Sequence, residues 1–579
     1  MVSLTMLVHF PLIVLSFTAL SLASPLRSIP HRHRQFSRNC APPALNSSAV
    51  PSSSMTPTSY VSANTALASV PALNSSAVPS SSMTPSSSSA TTTITYQVPT
   101  GTSSPPVSSK TASATTTTIS QAPTGTASPS VSSKYVIAHF MVGNSYPFTV
   151  DNWLADIFLA HSSGIDGFAL NVGVDDWQPS QVANAYQAAL QSGTGFKLFM
   201  SFDMTSLPCS TAADAATLRT YITTYATHPN QLLYNGRVMA STFSGETCTF
   251  GQGSVASGWS TQFVQQLTGS SAVHFVPSFF VDPSQFNTYS GVIGGMFNWN
   301  SGWPIQVTTS FVSSVPGLLG DIASGLSSAV SSALSNLIGS TTPDDTYISS
   351  LAAMGGGLTY MAAVSPWFFT HYGPSSYNKN WIYLSDDHLY ASRWESLIKI
   401  RDQVDLVQVI SWNDYGESHY IGPIEGEQPM SQAWVDGNDH TGWLNLTSYY
   451  ASAFKTGTYP TPTKDQLIMW SRPHSAAASA SSDPVGRPTN YQITQDKVWA
   501  VVLATSPATV ELSTSSTQSQ IFNVPAGVSK LAVSIQPGGT MHGTLTRGGQ
   551  TVIDLQSTSF TFEAEPTTYN FNAHVVASS

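Results

Sequence analysis

Charge is scarce in this 579-residue chain: Asp, Glu, Lys and Arg together make up 9% of it. The 20 Lys and Arg residues are outnumbered by 30 Asp and Glu, for a net charge of −10. No basic cluster is present, which argues against a nucleic-acid partner. Cysteine is scarcer still, with three in all, too few and too scattered for a thiolate metal site. The chain also lacks a His-x-x-x-His pair, a Gly-x-Ser-x-Gly elbow, a phosphate-binding loop and a Gly-x-Gly-x-x-Gly after its first strand pattern. Zinc hydrolysis, serine-elbow chemistry, nucleotide hydrolysis and dinucleotide binding all lose their usual parts. No metal or cofactor is expected. One apolar run stands out, at 7–20, but it contains Pro11 and falls short of the about 20 residues that span a bilayer. Followed by Ser21-Leu22-Ala23, it reads as a secretory signal peptide over 1–23, and the carboxyl end lacks the apolar tail of a lipid-anchor signal. No membrane partner is expected.

What the chain has in excess is Ser, Thr, Pro and Ala. Within 24–133, the stretch from about Cys40 onward is almost entirely Ser, Thr, Ala, Pro and Val, with two internal duplications that carry no apolar face. Such a stretch cannot bury enough surface to offset the entropy of ordering it, so a disordered, O-glycosylated stalk is expected. Asn46, Asn74 and Asn445 each begin an Asn-x-Ser/Thr acceptor, consistent with export. Cys209 and Cys248 follow successive candidate strands, and a disulfide between them suits an oxidising compartment, with Cys40 left over in the stalk.

From residue 134 the composition changes to apolar runs alternating with helical periodicity. Strand patterns fall near 136–140, 167–171, 197–203, 238–243, 275–280, 291–297, 358–364 and 406–412. Eight near-continuous apolar strands with helices between most of them predict an α/β fold, a (β/α)8 TIM-type barrel over 134–474. An insertion after the sixth strand carries an apolar stripe, Leu318, Ile322, Leu326, Val330, Leu334 and Ile338, expected to pack on the barrel. A Ser/Ala/Pro linker at 475–488 and short alternating runs over 489–579 predict a C-terminal antiparallel β-sandwich as an accessory domain.

Barrel enzymes carry their chemistry at the carboxyl ends of the strands. Those ends supply Asn171, Asp175-Asp176-Trp177, Asp203, Glu246, Asp282, Asn298-Trp299, Trp367 to Tyr372, and Ser411-Trp412-Asn413-Asp414-Tyr415-Gly416-Glu417-Ser418-His419-Tyr420. The last segment packs two acids, a His and three aromatics into one turn. Carboxyl pairs perform acid and base work on glycosidic bonds, and flat aromatic faces stack on sugar rings. Asp-Tyr-Gly is also an ordinary turn sequence, and Asp203 could equally be a buried acid binding backbone amides. The catalytic candidates are Asp414, Glu417 and Asp203, with Glu417 assigned as general acid and Asp414 as base. The substrate-binding candidates are Asn171, Trp177, Asn298, Trp299, Trp367, Tyr372, Trp412, Tyr415, His419 and Tyr420, with Trp299, Trp367, Trp412 and Tyr415 expected to line the groove.

Four segments in order carry a further indication: Tyr135-Val136-Ile137-Ala138-His139-Phe140-Met141-Val142-Gly143-Asn144, Asp166-Gly167-Phe168-Ala169-Leu170-Asn171, Phe199-Met200-Ser201-Phe202-Asp203, and Trp412 through Tyr420. Over about 134–470 the chain resembles glycoside hydrolase family 71, the fungal endo-α-1,3-glucanases also called mutanases. The resemblance implies a secreted or wall-associated enzyme that hydrolyses α-1,3-glucan without a metal and with inversion. It maps the family's essential acids onto Asp414 and Glu417, with Asp203 as a third. A monomer acting on polysaccharide is expected. The alternative is a catalytically silent carbohydrate-binding or structural wall glycoprotein on the same barrel.

Overall fold

The computed structural model describes residues 134–318, 320 and 337–579. The expected signal peptide, the expected stalk with Cys40, Asn46 and Asn74, and the middle of the insertion stripe lie outside the described residues. Among the described residues no helix is long and apolar enough to cross a membrane.

Eight parallel strands run β1 (Tyr135–Met141), β2 (Gly167–Val172), β3 (Lys197–Asp203), β4 (Arg237–Phe243), β5 (Val273–Phe275), β6 (Gly295–Asn298), β7 (Thr359–Val364) and β8 (Leu406–Val409). Each pairs with its neighbour in number except β5 with β6, and β8 pairs with β1. Between β5 and β6 the ring is joined by two backbone bonds, Gly294 N–H to Phe275 O at 2.7 Å and Phe297 N–H to Pro277 O at 2.8 Å. The parallel sheet is therefore curled into a barrel. Strand β5 is shorter than the apolar run suggests. Pro277 offers no N–H to a ladder, yet Val276 and Ser278 still donate to Ala240 O and Thr242 O of β4.

Side chains alternate along these strands. Val136, Ala138, Phe140, Phe168, Leu170, Leu198, Met200 and Phe202 join the cluster beneath the helices. Ile137, Ala169, Phe199, Met239, Met361 and Ala363 join the cluster that fills the barrel. The inward parity continues to His139, Asn171, Asp203 and Phe243 at or near the strand ends, so the same alternation that fills the interior delivers polar groups to the mouth. Capping boxes start two of the covering helices, Thr149 with Asn152 and Thr211 with Asp214. Leu318 and Ile338, the two described ends of the insertion stripe, are buried against the interior cluster.

Strands β9 (Gln466–Ser471), β10 (Lys497–Ala504), β11 (Ala508–Ser515), β12 (Gln518–Val524), β13 (Gly527–Ser534), β14 (His542–Arg547), β15 (Gln550–Gln556) and β16 (His574–Ala577) form two four-stranded antiparallel sheets, ordered β13-β10-β9-β16 and β12-β11-β14-β15. Strand β9 precedes the 475–488 segment yet pairs with β10 and β16, so the C-terminal sheet begins within the stretch assigned to the barrel by sequence. Its first sheet is covered on both faces. Leu467, Met469, Val498, Ala500 and Val502 pack with the second sheet, while Ile468, Trp470, Trp499, Val501 and Leu503 join the barrel's helix-side cluster. The 475–488 segment is engaged as well: Asp483 accepts from Val485 N–H and Tyr569 N–H at 2.8 Å each and bonds His371 at 2.8 Å.

Candidate active site

The turn at 411–420 leaves β8 between β7 and β1, anchored by Ile410 N–H to Val364 O and Trp412 N–H to His139 O. Asn413 fastens it to β1: Oδ1 accepts from Met141 N–H at 2.7 Å, Nδ2 donates to Met141 O at 3.1 Å, and Asn144 Nδ2 donates to the Asn413 carbonyl at 2.9 Å. Gly416 is required by close approach, since a Cβ there would lie 2.3 Å from the Tyr372 hydroxyl oxygen.

Inside the turn Ser411 acts as a hub. Its N–H donates to His419 O at 2.7 Å, and its hydroxyl accepts from Asp414 N–H at 2.9 Å and bonds His419 Nδ1 at 3.0 Å. The other ring nitrogen, Nε2, lies 3.2 Å from Glu417 Oε2 and 3.7 Å from Asp414 Oδ2. One ligand-type atom from each of Asp414, Glu417 and His419 falls within 4.8 Å of the others. The trio has the spacing of a cation site, and a cation is already supplied: Lys379 Nζ sits 2.8 Å from Glu417 Oε1.

Lys379 arrives on an antiparallel hairpin, Phe369–His371 with Asn380–Ile382, whose first strand bonds the turn through Phe369 N–H to Glu417 O. Burial disfavours its ammonium, but Glu417, Asp414 and Asp203 outweigh that and hold its pKa above the ordinary lysine value. Asp203 therefore acts on the same centre, while its Oδ1 also accepts from Thr205 N–H and Oγ at 3.0 and 2.6 Å. The contact with Thr205 N–H is of the kind expected of a buried acid that binds backbone amides.

Rings wall the cluster. Half-buried Trp299 sets its ring 4.8 Å from those of His139 and Phe243, and Trp303 and Phe368 flank His419 at 5.7 and 5.9 Å. The Tyr383 hydroxyl is pushed up to about 12, by burial first and by Glu417's charge second. His139 is held neutral, its pKa pushed down to about 3 by burial and by neighbouring His419. Tyr372 covers the turn, donating to Pro429 O at 2.8 Å.

Several expected sugar-binding residues lie elsewhere. Trp412, Tyr415 and Tyr420 are at most 1% exposed. Trp412 packs on Phe168, the Tyr415 hydroxyl donates to Pro423 O, and Tyr420 stacks on His440. No face is left open for a sugar ring. Trp367 is 2% exposed, with Nε1 donating to Phe571 O at 2.8 Å and Arg472 over its ring. Asn171 donates to Ser201 O, and Asn298 to Pro343 O and the Tyr360 hydroxyl. Trp177 is half-buried beside exposed Tyr146. Glu246 accepts from Ser244 Oγ at 3.0 and 3.1 Å and from Phe280 N–H at 3.3 Å, and Asp282 accepts from Ser284 N–H and Oγ at 2.9 and 2.7 Å. Asn445 sits half-buried in the first turn of the helix Trp443–Thr456. Cys209 and Cys248 form a disulfide.

Sequence reasoning passed over Lys379, Tyr383 and Trp303. The available signal was a lysine between two asparagines, Asn378-Lys379-Asn380, in a segment dense in aromatic residues and otherwise poor in charge.

Residues 132–579 match the family described as Glycosyl hydrolase family 71. The chain is 37% identical over 442 residues to the glucan endo-1,3-alpha-glucosidase agn1 of Schizosaccharomyces pombe, covering 76% of this chain and 93% of that protein. It is 33% identical over 446 residues to mutanase Pc12g07500 of Penicillium rubens, covering 76% and 88%. The ascus wall endo-1,3-alpha-glucanase of Schizosaccharomyces pombe is 34% identical over 410 residues, covering 69% and 85%. A barrel bearing paired carboxylates at the mouth of its last strand, matched with the C-terminal sheets over residues 132–579, makes this chain a member of glycosyl hydrolase family 71 and a homologue of the glucan endo-1,3-alpha-glucosidases.

Proposed function

We propose that this protein hydrolyses the α-1,3-glucosidic bonds of α-1,3-glucan, with Asp414 and Glu417 as the working carboxylates and Asp203 as a supporting acid. The observation that carries the reading is the Asp414–Glu417–His419 cluster at the end of β8 in a family whose relatives bear endo-1,3-α-glucanase and mutanase names. Glycoside hydrolysis needs a proton for the leaving oxygen and a carboxylate that activates water or attacks carbon. Half-buried Trp299 beside His139 and His419 supplies an aromatic wall for a glucose ring. The family resemblance implies inversion. Inverting pairs stand about 6.5–9.5 Å apart to admit water, whereas the nearest atoms of this pair lie within 4.8 Å, so inversion requires the bound glucan to part them.

Export is supported by the Cys209–Cys248 disulfide, which persists in oxidising compartments. One relative is named for the ascus wall, which favours a wall setting for the substrate. In this reading the barrel does the chemistry as a monomer, the C-terminal sheets are accessory to it, and the Ser/Thr-rich stretch is a spacer.

The test is release of reducing sugar from insoluble α-1,3-glucan by the wild type and by Asp414→Asn and Glu417→Gln. Both variants should melt near the wild-type temperature and lose about a hundredfold or more of turnover, because an amide neither donates an acidic proton nor accepts one. A wild type that binds the glucan yet releases no sugar identifies a silent carbohydrate-binding protein. Residual activity above roughly a tenth in either variant removes that residue from the dyad.

A further inference from the structure

Lys379 reaches the active-site turn from outside the eight barrel strands. Its side chain is 10% exposed, and its ammonium and His419 Nε2 address different oxygens of Glu417, at 2.8 and 3.2 Å. The hairpin that carries it is braced on both sides. Tyr372 N–H donates to the Lys379 carbonyl at 2.6 Å. Asn380, the next residue, bonds His371 Nδ1 at 2.9 Å and donates to Gly486 O at 3.1 Å, and His371 Nε2 meets Asp483 at 2.8 Å. A long lysine side chain is thus held in one place rather than left to sample solvent, as exposed ion pairs do.

We propose that Lys379 is a positioning residue that keeps Glu417 ionised, making Glu417 the base and Asp414 the proton donor. The inference rests on the hydrolase reading above and reverses the acid and base roles assigned from sequence. A fixed ammonium favours the charged form of an adjacent carboxyl, and an ionised carboxylate within 4.8 Å favours the protonated form of a second one. In the reaction, Asp414 gives its proton to the glycosidic oxygen as the carbon–oxygen electron pair departs with that oxygen. A water oxygen bonds the anomeric carbon, and the water's proton passes to Glu417. Return of that proton to Asp414 through solvent restores the resting state.

The titratable and charged groups facing Glu417 are Asp414 and His419 from its own turn, Lys379 and Tyr372 from the hairpin, Tyr383 beyond it, and His139 from β1, with Asp203 of β3 acting through Lys379. The experiment compares full-length wild type, Lys379→Met, Lys379→Gln and Lys379→Arg. It records kcat/KM against pH on soluble α-1,3-gluco-oligosaccharide, together with the carbon-13 carboxyl titration of Glu417 assigned by its absence in Glu417→Gln. Loss of the charge should raise the acidic limb of the profile and the Glu417 midpoint together by about one to two pH units, and Lys379→Arg should restore both. Lys379→Gln keeps a hydrogen-bond donor, so it separates charge from folding if the Met variant melts early. An unmoved Glu417 midpoint overturns the proposal, and so does movement of the alkaline limb alone, which would mark Glu417 as the acid. A wild type without turnover sinks the hydrolase reading instead, and the carboxyl titration then still decides whether Lys379 governs Glu417.

Discussion

Replacing Trp367 by Ala separates a groove residue from a structural one. Sequence placed this indole in the sugar groove, where its loss would raise KM. The structure puts it 2% exposed between the barrel and the C-terminal sheets, its Nε1 donating to Phe571 O at 2.8 Å and its ring under Arg472 at 5.5 Å. Truncating a buried Trp to Ala costs about 3–5 kcal/mol, and the Phe571 carbonyl is left without its donor. Unfolding entropy of about 2.1 cal/mol/K per residue, over on the order of 430 described residues, gives ~0.9 kcal/mol/K. A loss of ~4 kcal/mol therefore lowers the melting temperature by ~4 °C if the folded part melts in one transition. The assay is differential scanning calorimetry paired with KM on soluble α-1,3-gluco-oligosaccharide at a temperature well below melting. The expected outcome is a lowered Tm with KM unchanged. A raised KM at unchanged Tm would refute the reasoning and return Trp367 to the groove.

Asp156, buried in the helix Val150–Ser162, has its carboxyl pushed up to about 8, chiefly by burial. The stability carried by the neutral form is complete below about pH 4, its unfolded value, and is lost as pH rises towards 8. Asp156→Asn should therefore melt near the wild-type temperature at pH 4 and above it at pH 7.5; a difference independent of pH would contradict this. The double variant Cys209→Ser, Cys248→Ser opens a loop whose ends are 39 residues apart, which should cost about 4 kcal/mol in chemical denaturation by the chain-entropy argument. A loss below about 1 kcal/mol would show that the loop is already held by its own packing.

The barrel was legible because buried parallel strands are apolar on both faces and recur with helices between them. The runs at Val136, Phe168 and Leu198 are of that kind. Strand ends were less so. Near β5 and β6 a proline and Gly291, at φ +74°, interrupt the ladder while the apolar run continues. The turn bearing Asp414 and Glu417 stood out as charge in a chain almost without it, but its aromatics misled. Trp412, Tyr415 and Tyr420 look like a sugar platform in sequence and serve instead to seat the turn on Phe168, Pro423 and His440. Burial of an aromatic is a property of its neighbours, and those neighbours are remote: Tyr420 receives a hydrogen bond from Asn572, 152 residues on. Lys379 was hidden for the same reason, since a hairpin outside the barrel strands brings it to Glu417.

The order in which the chain leaves the ribosome gives strand β16 a particular weight. The barrel's last strand and the turn at 411–420 are synthesised well before it, yet Trp367 and His440 find their acceptors at Phe571 and Ala573, just ahead of β16. The neighbour of β16 is β9, which lies more than a hundred residues earlier and already begins the sheet. A nascent chain that has made the Asp414–Glu417 turn is thus still without the contacts that close the barrel's flank. A chain stopped ahead of Phe571 leaves Trp367 and His440 without these acceptors and β9 without one of its two partners, so it should meet cellular quality control as a destabilised barrel.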